Sequence, residues 1–162
     1  MKPSVYLETS IISYLAAKPS RDLVTAARQQ VTHQWWETRR VLFELLVSEL
    51  VHSECAGGDA EAAARRASIL RDLPVLDVTP LAETLASEIL AQAKLPPRAK
   101  ADALHIAIAA AQGVRYLLTW NTAHIANAER RPLVERTCRR AGYVPPVLCT
   151  PDELLGEEAG DV

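Results

Sequence analysis

One carboxylate sits inside an almost wholly apolar stretch, Ala101–Asp102–Ala103–Leu104–His105–Ile106–Ala107–Ile108–Ala109–Ala110–Ala111. Pro96 and Pro97 just before it favour a helix start, and Gly113 after it reads as a C-terminal stop. A helix that is apolar all round is a buried one. Asp102 is therefore expected in its first or second turn, where the positive end of the helix dipole favours an ionised acid. A buried acid needs a partner or a metal, so the question is which residues converge on it. Three more polar residues stand at comparable places. Glu8 ends the strand-like run Ser4–Val5–Tyr6–Leu7, Glu54 lies six residues beyond Ser48 on a short helix, and Asn121 follows Leu117–Leu118–Thr119–Trp120. Carboxylate oxygens gathered at one rim suit Mg²⁺ or Mn²⁺, hard ions held by few carboxylates plus a substrate phosphate. No histidine-and-cysteine set with zinc spacing is offered.

The elements that must position these residues alternate between strand and helix. Strands are expected at Ser4–Leu7, Val41–Val47, Val75–Val78, Arg115–Thr119 and Pro146–Cys149. Helices are expected after Glu8 through Leu15 with Thr9 or Ser10 as cap, and from Arg21 to about Arg40 with Ser20 as cap. Further helices follow Ser48, run from Ala60 to Leu73 after Asp59, and run from Leu81 to Ala93 after Thr79–Pro80. A helical segment at Ala123–Asn127, a helix over Pro132–Arg140 and a terminal turn at Pro151–Leu155 complete the pattern. Alternation of this kind implies an α/β fold, a parallel sheet of about five strands flanked by helices. Ligands of such sheets bind beyond the carboxyl ends of the strands, where strand order reverses. That rim collects Glu8, the residues after Val47 and the residues after Thr119.

Composition bounds the function. The chain has 162 residues, 49% of them hydrophobic and 23% charged, which fits one globular domain. A net charge of −2 argues against a protein that coats nucleic acid, though not against a nuclease whose metal supplies positive charge locally. Aromatic residues at 5% argue against extensive base stacking. Cys55, Cys138 and Cys149 are far apart and odd in number, as expected of reduced cytoplasmic thiols. The N-terminal apolar run is broken by Glu8, so no signal peptide is read, and no stretch approaches a membrane span. Residues 1–155 are expected to form the domain, and 156–162 an acidic, disordered tail.

Taken together, Tyr6–Leu7–Glu8–Thr9–Ser10, Ser48–Glu49–Leu50–Val51–His52–Ser53–Glu54, Ala101–Asp102–Ala103–Leu104–His105–Ile106–Ala107 and Leu117–Leu118–Thr119–Trp120–Asn121 resemble the motifs of PIN domains, in order, over about residues 4–155. The branch most similar is that of VapC-type toxins of bacterial toxin–antitoxin pairs. The resemblance implies a three-layer domain with Mg²⁺- or Mn²⁺-dependent endoribonuclease activity on RNA. It also implies a homodimer and a cognate antitoxin that holds the enzyme inactive. It makes Glu8, Glu54, Asp102 and Asn121 the catalytic set, with Glu8 and Asp102 holding the ion and Glu54 acting directly or through water. Thr9 and Thr119 would hydrogen-bond the carboxylates. The ion would polarise the scissile phosphate and acidify the attacking water. Products would carry 5′-phosphate and 3′-hydroxyl ends.

The chain departs from the usual pattern twice, since most PIN domains have Asp where Glu8 and Asn121 stand; the resemblance is to a branch with Glu and Asn there. Glu8 is one methylene longer, which moves a bound ion by about 1 Å or folds the side chain back. Asn121 keeps an oxygen ligand but loses the charge, so a second metal should bind more weakly.

Each of these residues also has a plainer role. Glu8 serves as a helix-start acid and Asn121 as a helix cap. Glu49 or Glu44 competes with Glu54. His105, three residues from Asp102, reads as a satisfied core histidine before a general base, and His124 and Asn127, just after Asn121, read as uninvolved, with a place at the rim as the alternative. Trp35, Trp36 and Trp120 read as packing. Arg39–Arg40, Arg130–Arg131 and Arg139–Arg140 read as solvated faces, with phosphate tracking by one pair as the alternative. Apolar surface around Ile11 to Trp36 offers a dimer contact. Competing functions are a catalytically weak PIN-like module that binds RNA or protein, and a phosphoryl-accepting domain. The second needs an acceptor Asp at a strand end, and strand three offers only Asp77.

Overall fold

The first strand, β1 (Ser4–Leu7), is buried from Val5 onward and ends where the chain enters α1 (Thr9–Ala16). The fold is seen in a computed structural model that describes residues 1–157. Glu8 itself, not Thr9 or Ser10, caps α1, because its carboxylate accepts the Ser10 amide. In the same way Asp22, not Ser20, caps α2 (Leu23–Thr38), while Ser20 Oγ accepts the Asp22 amide at 3.1 Å.

The second strand, β2 (Glu44–Ser48), starts later than expected. Val41 and Leu42 lie in a 3₁₀ turn, Arg40–Leu42, and are 60% and 47% exposed. β1 begins pairing at Ser4, opposite Glu44, so residues before Glu44 have no neighbouring strand to join. Ser48 then caps α3 (Glu49–Cys55) through the Val51 amide, and Asp59 caps α4 (Ala60–Leu70). That helix stops before Leu73, whose amide closes a turn onto Leu70 instead. The edge strand β3 is only Val75–Leu76, because its partner ends at Ser48 and the Val78 amide goes to the Glu49 carboxylate.

Thr79 caps α5 (Pro80–Gln92), with Pro80 at the first helical position as expected. A 3₁₀ turn, Pro97–Ala99, leads into α6 (Lys100–Ala111), the buried helix that carries Asp102 in its first turn. Gly113 ends it at φ +67°, a left-handed conformation that glycine adopts without steric cost. After β4 (Tyr116–Leu118) come α7 (Arg131–Arg140), β5 (Val147–Cys149) and a 3₁₀ turn at Pro151–Leu154. The expected helical segment Ala123–Asn127 is a series of turns. The Asn121 carbonyl takes both the Ile125 and the Ala126 amides, and Asn127 Oδ1 takes those of Glu129 and Arg130, so the chain curls back without propagating a helix.

The five strands are all parallel in the order β3-β2-β1-β4-β5, flanked by seven helices among the described residues. Helix α1 packs on α2, α3 and α4, while α5 packs on α6 and α7. The chain runs outward from β1 through β2 to β3, then crosses back to place β4 on the other side of β1. Strand order therefore reverses between β1 and β4, with Val5 opposite Tyr116 and Leu7 opposite Leu118.

The core runs through the sheet and the inner helix faces: Val5, Tyr6, Leu7, Val47, Ile106, Ile108, Leu117 and Leu118 are all fully enclosed. Each large aliphatic side chain buried there contributes about 1.5–3 kcal/mol. Ile11, Ile12, Leu15 and Trp35 also belong to this core, so the expected apolar surface around Ile11 to Trp36 shrinks to Leu23 and Val24 on α2. The tryptophans pack, as expected: Trp35 stacks on Phe43 at 5.9 Å, and the Trp120 indole donates to Thr32 at 2.7 Å. The arginine pairs are not simply solvated. Arg39 donates to Leu154 O, Arg40 to Trp36 O, Arg131 to Leu148 O, and Arg130 to Ala93 O and Lys94 O. These four tie loop and helix ends, and only Arg139 and Arg140 lie open on the surface. Of the expected acidic tail, residues 158–162 lie outside the described residues. No helix among the described residues is long and apolar enough to cross a membrane.

Candidate active site

Glu8 occupies the carboxyl end of the central strand. Its amide still donates to Leu118 O, so its backbone belongs to the sheet while its side chain belongs to the rim. The side chain is 6% exposed. Burying a carboxylate without partners is costly, and three donors meet it here. Oε1 accepts Ser10 Oγ at 2.6 Å and Thr119 Oγ1 at 2.6 Å, and Oε2 accepts the Ser10 amide at 3.0 Å. Thr119 is fully buried and also accepts the Asn121 amide at 2.9 Å. The end of β4 thus grips both Glu8 and the loop that follows.

Glu54, on the last turn of α3, reaches the same place. Its Oε1 accepts Thr9 Oγ1 at 2.6 Å and lies 2.5 Å from His105 Nε2. Burial pushes the Glu54 carboxyl up, but the hydrogen bonds from His105 and Thr9 outweigh it and hold it below its ordinary value of 4.5. His105 is 1% exposed. Its other ring nitrogen lies 2.7 Å from Tyr6 Oη, which lies 2.7 Å from Ser48 Oγ. Burial drives the Tyr6 phenol well above its usual range. Glu8, Glu54 and His105 each bring one ligand-type atom to within 4.8 Å of the others.

Asp102 stands outside that tight group. Its Oδ2 is 2.9 Å from His124 Nδ1, both side chains being largely covered. Asn121 Oδ1 accepts the His124 amide at 3.0 Å, so its capping action organises the loop that delivers His124. Asn121 and Asp102 are therefore linked through His124, and Asn121 and Glu8 through Thr119. The competitors of Glu54 are placed elsewhere, Glu49 being bonded to the Val78 amide and Glu44 standing exposed at the start of β2. Asp77 follows the edge strand and is exposed.

The sequence alone ranks a rim place for His124 below an uninvolved one, in a stretch expected to be helical, and gives no sign of its bond to Asp102. It gave His105 its satisfied-core character but not its bond to Glu54. The one local signal was the i, i+3 spacing of Asp102 and His105; the bonds that matter run to residues distant in sequence.

Among the described residues no lysine or arginine pairs with Glu8, Glu54 or Asp102. Carboxylates left without lysine or arginine partners at a rim fit a hard divalent cation. Glu54 Oε2 and Asp102 Oδ1 accept no hydrogen bond among the described residues, and Glu8 keeps a further lone pair after its three donors. The donor set thus fits Mg²⁺ or Mn²⁺.

A search of curated proteins gives no match. Among solved structures, Mycobacterium tuberculosis VapC20, a toxin that cleaves the sarcin–ricin loop, is similar with a TM-score of 0.57 and 20% identity. That match covers 87% of this chain and 97% of the other. VapBC2 from Rickettsia felis, solved bound to a DNA fragment from its promoter, is similar with a TM-score of 0.54 and 20% identity. It covers 72% of this chain and 87% of the other. At these identities the likeness concerns the fold. The PIN domain family profile matches residues 5–130, from β1 through the loop that carries Asn121 and His124, and the chain belongs to the PIN domain family.

Proposed function

We propose that this chain is a VapC-type toxin, an endoribonuclease that hydrolyses RNA phosphodiester bonds with Mg²⁺ or Mn²⁺. The observation that carries the reading is the convergence of Glu8 and Glu54, from two distant segments, at the point where strand order reverses, with no lysine or arginine paired with them among the described residues. The similarity of the fold to solved VapC toxins supports the toxin assignment.

Glu8, Glu54 and Asp102 would hold the ion, which supplies Lewis acidity toward the phosphate and activation of water. The chain's own contribution is orientation. Three donors fix Glu8, Thr9 and His105 fix Glu54, and His124 fixes one oxygen of Asp102. Asn121 acts through the loop it caps. Thr119 couples that loop to Glu8, so metal-holding and loop placement depend on one hydroxyl. Cleavage would leave 5′-phosphate and 3′-hydroxyl ends. The partners are RNA, a second copy of the chain and an antitoxin that brings Arg or Lys to the acidic rim, all in the cytoplasm.

The test is calorimetric titration with Mn²⁺ and Mg²⁺ of wild type and Asp102→Ala, with an RNA cleavage assay on the same samples. Binding and cleavage should both be present in wild type and lost together in the variant. A wild type that holds RNA without cleaving it, with or without metal, would favour a binding module instead. Equal antitoxin binding by wild type and by Glu8→Gln with Asp102→Asn would contradict the proposed partner mode. A monomeric mass in light scattering would contradict the dimer.

A further inference from the structure

Glu54 takes both of its protein hydrogen bonds on a single oxygen. Thr9 and His105 converge on Oε1, and no group among the described residues bonds Oε2. A carboxylate saturated from two sides on one oxygen is fixed in rotation as well as position, and it presents the other oxygen.

The ring behind it is fixed in turn. Ionised Glu54 can only accept, so the His105 proton lies on Nε2 and points at Oε1. Nδ1 then accepts from the Tyr6 hydroxyl and Tyr6 Oη accepts from Ser48, while Ser48 Oγ accepts the Val51 amide at 3.2 Å. The chain runs in one direction, with each hydroxyl donating once. The Tyr6 and His105 rings meet edge-on at 5.8 Å, which also resists ring rotation.

Glu8, Glu54 and His105 converge within 4.8 Å, so His105 is either a metal ligand or a device that aims one. The Nε2–Oε1 distance of 2.5 Å decides. Two ligands on adjacent sites of an octahedral ion with bonds of about 2.1 Å stand about 3 Å apart. The pair is closer than that, and the proton fills the space between them.

We propose, on the basis of the nuclease reading above, that His105 is a positioning residue which, with Thr9, saturates Glu54 Oε1 and presents Oε2 as the atom that takes the divalent ion. The role belongs to β1 and β2 as much as to α6, since Tyr6 and Ser48 hold the ring.

The experiment titrates Mn²⁺ alone into the full chain, by calorimetry, for wild type, His105→Gln, His105→Asn and Thr9→Val. A glutamine amide reaches the former Nε2 position and restores a donor to Glu54, while asparagine reaches only the Nδ1 position. Loss of an outer-shell donor typically weakens metal affinity about 10–100-fold. His105→Asn should show that loss, and His105→Gln should stay within about threefold of wild type. Thr9→Val, which removes the second donor from a partly buried position outside the core, should weaken binding several-fold. Equal affinity in all four proteins overturns the proposal, as does unchanged binding in Thr9→Val. Binding abolished in folded His105→Gln makes the ring nitrogen a ligand and also overturns it. A wild type that takes up no Mn²⁺ removes the nuclease reading itself, and the proposal with it.

Discussion

Replacing Thr119 by valine should destabilise the chain sharply, although the two side chains have nearly the same shape. Thr119 is fully buried, so bulk solvent does not reach its hydroxyl. That hydroxyl donates to Glu8 Oε1 at 2.6 Å and accepts the Asn121 amide at 2.9 Å. A hydrogen bond to a charged group contributes about 1.5–3 kcal/mol, and a neutral one about 0.5–1.5 kcal/mol. Because Glu8 is only 6% exposed, it loses a donor without gaining solvent. The sum is about 2–4.5 kcal/mol, or about 4–18 °C in melting temperature for a domain of this size. The assay is thermal unfolding in EDTA, so that no bound ion contributes. Thr119→Ser keeps the hydroxyl and loses one methyl, so it should cost only about 1 kcal/mol. A Thr119→Val melting temperature within about 1 °C of wild type would refute the claim that this hydroxyl couples Glu8 to the Asn121 loop.

The Glu54 carboxyl is held below its ordinary value of 4.5, so its contribution to stability is present above that pH and fades as pH falls through the folded value. The difference in urea stability between wild type and Glu54→Gln should therefore shrink from pH 7 to pH 3, and a constant difference would contradict the assignment. Burial pushes the Cys55 and Cys138 thiols to about 11 and Cys149 to about 12. A disulfide reagent at pH 8 should leave all three unmodified in the native chain and label all three in urea, and rapid native labelling of any one would count against its burial. Arg130→Ala should cost about 1–3 kcal/mol in urea unfolding, because two backbone carbonyls lose their donor. It should leave the salt dependence of RNA binding unchanged, and a shallower slope would mean that Arg130 meets a phosphate.

The parts of this fold that can be read from the sequence are those set by near neighbours. Ser48, Asp59 and Thr79 cap the helices they precede, because capping acts over three residues. The apolar run after Pro97 can only be a buried helix, and Asp102 takes its place in the first turn. What local pattern cannot give depends on who stands alongside. Val41 and Leu42 have strand-like side chains but no strand beside them, so they turn. Ala123–Asn127 has helix-forming residues, but the Asn121 carbonyl takes two of its amides and ends the matter. His105 and His124 carry no local mark of their partners, because Glu54 and Asp102 reach them only once the sheet is assembled. Thr9 and Thr119 do reach carboxylates, Glu54 and Glu8 respectively, a pairing that only the strand order sets.

The central position of β1 bears on how the protein emerges from a ribosome. Its first neighbour, β2, follows closely in the chain, but the hydroxyl that steadies Glu8 comes from a residue 111 positions later. The nascent chain thus carries Glu8 and Glu54 long before β4 exists, and Asp102 shortly before it. Until Tyr116–Leu118 is made, one side of β1 presents unpaired amides and carbonyls beside the enclosed Val5, Tyr6 and Leu7. Such an open edge recruits other strands, so synthesis halted before Arg115 should yield an aggregating fragment and not a partly active nuclease. For the ribonuclease proposed above, this order of assembly delays the working site until β4 has paired with β1.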